Sequence, residues 1–102
     1  MTDATGSIDG AFVPVRAAAV YTVEIDGEAV LLDEAHDRLH HLNPTAALLW
    51  SCFDGEATVE QLATETSEEL RSSFATVYAD TIAVVGDLVA QELVRDGREP
   101  GP

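Results

Sequence analysis

Basic side chains are scarce in this chain: five stand against 19 acidic ones, for a formal net charge of −14. Such a surface repels phosphate backbones and anionic lipid heads, which sets nucleic acid and membranes aside as partners. Residues 74–91, which read as a helix, hold no Lys or Arg at all, whereas a DNA-reading helix needs a basic face. Cysteine is nearly absent too. Cys52 is alone and cannot form an internal disulfide; within the apolar residues 49–53 a free thiol packs as a small hydrophobe, as expected in a reducing compartment. No apolar run approaches spanning length, and residues 1–10 are polar and acidic where a secretory signal has a basic region and then an apolar one. The expectation is a cytoplasmic protein whose partner is a cationic peptide or a protein with a basic patch, because opposite potentials speed encounter.

Catalytic signatures are missing as well. There is no phosphate-cradling glycine loop, no Gly-x-Ser-x-Gly elbow and no zinc-type cysteine pair. His36, His40 and His41, with Asp33 and Asp37 nearby, invite a metal site. On a strand, however, His36 and His40 stand roughly 13 Å apart and His41 points the other way. The three histidines therefore read as surface residues. Cys52 has no local group to lower its pKa and no paired base. The chain reads as a non-enzyme with no cofactor.

What is present is enough for one core: 102 residues, 46% of them hydrophobic, make one domain. Residues 1–17 read as a loose arm, with residues 12–15 as an extended edge segment; residues 18–94 form the domain and 95–102 a flexible tail. Val20–Ile25 alternates, with Tyr21, Val23 and Ile25 on one face and Thr22 and Glu24 on the other, the pattern of a half-buried strand. Asp26-Gly27 signals a tight turn, residues 29–33 a second strand, residues 35–37 another turn, and Arg38–Leu42 the third strand of an antiparallel meander.

At Asn43-Pro44 the period changes. Proline keeps Asn43 extended and presets the first helical turn, while the Asn43 side chain can accept from free helical amides. Residues 46–50 then run as a buried helix, and Asp54-Gly55 turns a corner. Thr58, with Gln61 three residues on, forms a capping box for a helix carrying Val59, Leu62 and Ala63. Ser67 is expected to cap a further helical stretch beginning at Glu68-Glu69. Apolar residues recurring from Phe74 predict a long helix or a broken pair ending near Glu92, with a break between Leu70 and Asp80. The fold class is α+β, winged-helix-like: a three-stranded antiparallel sheet followed by about three helices.

The order and spacing of Leu42-Asn43, Ala46 with Trp50, Asp54-Gly55, Thr58-Val59-Glu60-Gln61-Leu62-Ala63, and Asp80 with Val84-Val85 and Leu88 resemble the PqqD family over about residues 20–94. One position departs. The family usually has glycine before its closing Leu-Val pair, where this chain has Glu92 before Leu93-Val94, so the last helix is expected to end differently.

The resemblance implies a precursor-peptide recognition element: a binder that holds the leader of a ribosomally made precursor peptide and presents it to a modifying enzyme or leader peptidase. The third strand, Arg38, Leu39, His40, His41 and Leu42, would offer its unpaired edge to the leader as an added strand. Side-chain pockets would lie between Leu39 and His41, or Leu42, on one side and Val84, Val85 and Leu88 on the other, the strand register deciding which. Asp80 and Asp87 are candidates for discrimination. Each has an ordinary reading beside this one: Val85 and Leu88 as core, the two aspartates as a solvated helix face. The rival function is a non-catalytic scaffold subunit with no peptide groove of its own. If the acidic surface steers a basic partner, the association rate falls severalfold between low and high salt in stopped-flow experiments; an unchanged rate would contradict the steering.

Overall fold

The computed structural model describes residues 8–26 and 28–97. The elements in order are β1 (Pro14–Arg16), β2 (Val20–Ile25), β3 (Glu28–Asp33), β4 (Arg38–Leu42), α1 (Pro44–Ser51), α2 (Val59–Leu70), α3 (Phe74–Ala90) and β5 (Val94–Asp96). β2, β3 and β4 form the expected antiparallel meander with β3 at its centre, and β1 pairs with β5 in a separate two-stranded ribbon. Asp26 has a φ of +53° between Ile25 and Glu28, which pair across the turn; that left-handed backbone suits a two-residue hairpin.

Local capping chemistry sets the helix starts as the residues predict. Asn43 Oδ1 accepts from Ala46 N at 2.8 Å. Thr58 and Gln61 complete a reciprocal capping box, Thr58 Oγ1 accepting from Gln61 N at 3.1 Å and Gln61 Oε1 from Thr58 N at 2.8 Å. Ser73 caps α3, so the break falls at residues 71–73. Ser67 behaves differently from expectation. It lies inside α2, which runs unbroken to Leu70, and its hydroxyl turns back to donate to Thr64 O.

The core lies between the inner face of the sheet and the three helices. Leu31, Leu49, Trp50, Val59, Leu62, Val85, Leu88 and Leu93 are its largest enclosed side chains. Trp50 donates through Nε1 to Thr22 Oγ1 at 2.8 Å, meets Phe53 edge-on at 5.8 Å between ring centroids, and lies under the Arg16 guanidinium. β2 is not the half-buried strand that its alternation predicts: all of it but Val20 is exposed. Tyr21, Val23 and Ile25 face outward, 52%, 42% and 61% exposed, and the face carrying Thr22 turns toward α1, because the helices cover only the inner side of the sheet.

Residues 1–7 of the expected arm lie outside the described residues. The rest of it packs down: Ile8 and Phe12 are buried, and the carbonyls of Phe12 and Gly10 accept from Val59 N and Glu60 N, two of the first amides of α2. Of the expected tail, Arg95 and Asp96 belong to β5 and Gly97 N donates to Val13 O at 2.7 Å; residues 98–102 lie outside the described residues.

The end of α3 is where the departure at Glu92 acts. Glu92 N donates to Val89 O and Leu93 N to Leu88 O, the paired bonds of a Schellman ending. This puts Glu92 at a φ of +64°, and Val94 goes on into β5. The closing strand therefore forms despite the missing glycine, with a side chain held in left-handed backbone that costs roughly 1–2 kcal/mol. Glu92→Gly is expected to raise stability by about 0.5–1 kcal/mol in urea unfolding. An unchanged or lower midpoint would refute that account.

Candidate functional site

The free edge of β4 can be read bond by bond. Glu34 N donates to Ala19 O at 3.1 Å, which extends the β2–β3 register by one bonded pair. Bonded pairs alternate along an antiparallel ladder. Glu28, Val30 and Leu32 therefore bond to β2, and Ala29, Leu31 and Asp33 to β4, where their partners are Leu42, His40 and Arg38. The remaining two residues of β4, Leu39 and His41, turn their N–H and C=O groups away from the sheet.

β4 and α3 run antiparallel beside each other. Arg38 reaches Gln91 O with Nη2 at 3.4 Å at one end. At the other a cleft opens, a cavity of about 250 Å³ lined by His41, Leu42, Asn43, Ala46, Ala83, Val84, Asp87 and Leu88. A second hollow, lined by Asn43, Thr45, Asp80, Ala83 and Val84, shares three residues with it and carries the cleft along α3. Asp80, Val84 and Asp87 fall on successive turns and so share one stripe of the helix.

Of the residues expected at the site, the cleft brings together His41, Leu42, Asp80, Val84, Asp87 and Leu88. Val85 is wholly enclosed in the core and lines neither hollow. Leu39, 66% exposed, presents its side chain on the outer face of the sheet, across from Leu32. His40 is on the inner face, half-buried, and its Nε2 is enclosed with no hydrogen-bond partner among the described residues. The sequence reading omitted Asn43, Thr45, Ala46 and Ala83. Ala83 was within reach of it, lying three residues after Asp80 and four before Asp87 on the same stripe. Asn43, Thr45 and Ala46 join only because α1 starts beside α3.

The cleft carries two aspartates and, beside the imidazole of His41, no Lys or Arg among the described residues, so its carboxylates favour a cationic group. No group of three or more His, Cys, Asp or Glu is placed to hold a metal ion among the described residues. The histidines are not all plain surface residues. His36 Nδ1 lies 2.9 Å from Asp33 Oδ2, with Arg38 Nη2 3.7 Å from the same oxygen. Asp33 is 2% exposed. Burial disfavours its charge, but the His36 hydrogen bond and the charges of His36 and Arg38 together outweigh burial and hold the carboxyl below its ordinary value. A lowered folded value means that the stability tied to ionisation is whole above the ordinary aspartate pKa of about 3.9 and is lost as pH falls through the folded value. Asp33→Asn should accordingly unfold at lower urea than the parent at pH 7, with the gap closing below about pH 4. A gap that persists at pH 2.5 would contradict this.

Known structures share this fold. The NMR structure of the PqqD truncation of Methylobacterium extorquens PqqCD, a stand-alone recognition element for ribosomally synthesised and post-translationally modified peptides, superposes with a TM-score of 0.79 at 22% identity over 92% of this chain and 99% of that one. TbiB1 in complex with the TbiA(beta) leader peptide gives 0.71 at 24% identity over 78% and 93%. Lasso peptide synthetase B1 complexed with its leader peptide gives 0.71 at 20% over 81% and 98%. No curated protein matches the sequence. The family model for coenzyme PQQ synthesis protein D (PqqD) matches residues 28–94, a span that runs from the central strand of the meander through the cleft to the start of β5, and the chain belongs to the PqqD family.

Proposed function

We propose that this protein binds the leader of a ribosomally made precursor peptide, which adds as a strand to the outer edge of β4 and places side chains in the cleft against α3. The observation that carries this reading is the outward N–H and C=O of Leu39 and His41 running beside a cleft lined by Leu42, Val84 and Leu88. Main-chain bonds supply sequence-independent affinity and the pocket supplies choice. Family membership supports the reading, as do two solved relatives of the same fold that hold leader peptides.

In this role the protein is a carrier without chemistry of its own, and it presents the leader to a modifying enzyme or leader peptidase. Asp80 and Asp87 border the apolar part of the cleft and favour a leader with a basic residue next to the apolar one it buries. Arg38, at the far end of β4, holds that end against Gln91.

The test is titration of a precursor leader peptide that carries a basic residue beside an apolar one, followed by amide shifts. Leu39→Pro and His41→Pro each remove one outward donor from an edge where proline is tolerated. With a net hydrogen bond worth about 1 kcal/mol, each should weaken binding at least roughly fivefold while circular dichroism stays unchanged. Two folded proline variants that bind the leader as the parent does would refute strand addition and leave a scaffold without a groove.

A further inference from the structure

The outer face of the meander is apolar and is left uncovered by the described residues. Register places Tyr21, Leu32 and Leu39 in one row across the three strands and Val23, Val30 and His41 in the next, with Ile25 beside them on β2. Four of the six large hydrophobic residues most exposed in the described chain, Tyr21, Val23, Ile25 and Leu39, belong to this face. No helix among the described residues packs there. From strand spacing and rise, the apolar area is on the order of 300 Å².

Charge decides what can cover it. Glu28 and Glu34 point to the same side of β3, and Asp26 and Asp37 stand in the turns at the two ends, all exposed. The chain has no lysine, and none of the described arginines joins this face: Arg16 is held at Trp50, Arg38 points inward with Asp33, Arg71 ends α2 and Arg95 lies in the β1–β5 ribbon. Two copies meeting here would set acidic rims against each other, each chain carrying −14. The area is also well under the roughly 800 Å² per partner of a stable interface. The face is, however, continuous with the leader edge. A leader strand on β4 would lie beside Leu39 and widen the surface with its own outward side chains.

We infer that the outer sheet face, through Tyr21, Val23, Ile25 and Leu39, docks the modifying enzyme by an apolar patch ringed with lysine or arginine. This rests on the leader-binding reading for the identity of the partner. The enzyme would then meet protein and leader on one surface.

The experiment measures binding of the full chain to the modifying enzyme that acts on the leader it binds and, separately, to that leader. Val23→Thr with Ile25→Thr keeps strand propensity and removes the apolar contact; Ile25→Thr alone serves if the pair does not fold. Expected are an enzyme Kd raised about tenfold and a leader Kd changed by less than about twofold, with the parent's enzyme affinity falling as salt rises. Enzyme affinity equal to the parent's, or a parent that binds no enzyme with or without leader, overturns the docking face. So does sedimentation showing a dimer that the double variant abolishes, which would make the occupant a second copy. Nuclear Overhauser contacts from residues 1–7 to the Val23 and Ile25 methyls would overturn it as well, by assigning the face to the chain itself. If the parent fails to bind leader while the threonine pair still weakens the enzyme complex, the leader reading falls and the docking face stands.

Discussion

Trp50 is the side chain through which the two sheets are fastened. Its indole N–H is spent on Thr22 of β2. Its carbonyl accepts from Arg16 of β1 at 2.7 Å, and the same guanidinium lies 5.0 Å from the ring centroid. An aromatic ring with one polar handle can be buried only if that handle finds a partner. The partner is a threonine on the sheet's inner side. Because β2 commits its polar face to Trp50, its apolar face is turned outward, and the solvent-facing apolar sheet follows from that bond.

The helix boundaries were legible because their causes are local. Asn43 before Pro44, Thr58 with Gln61, and Gly55 at its φ of +80° each act within four residues. Ser67 shows the limit of such reading: serine before two glutamates has the composition of a cap, but the helix begun at Val59 was already under way, and the hydroxyl found a carbonyl one turn back. Alternation in β2 correctly separated two faces. Which of them faces the helices depends on where α1 lands, and that is a tertiary fact no period of two contains.

The site was legible as a strand edge beside a helix and not as a list of side chains. Val84 and Val85 are equivalent in a sequence pattern, yet about 100° of helical rotation puts one in the cleft and the other in the core. Leu39 and His41 could be separated from their neighbours on β4 only with the pairing in hand. Glu92 is the reverse case. Its departure from the family's glycine suggested a different helix ending; the bonds of Leu93 and Glu92 nevertheless form a left-handed ending of the kind glycine serves and leave the strain in one residue's backbone.

The β1–β5 ribbon has a consequence for how such a domain can be joined to other chains. Pro14 is paired directly with Asp96, so the first and last strands of the described chain lie side by side, and neither lines the cleft. A chain joined after β5 departs from this ribbon, whereas one joined ahead of β1 has to lead into residues 8–13, whose carbonyls hold the first amides of α2. Neither junction draws on a residue that lines the cleft beside β4.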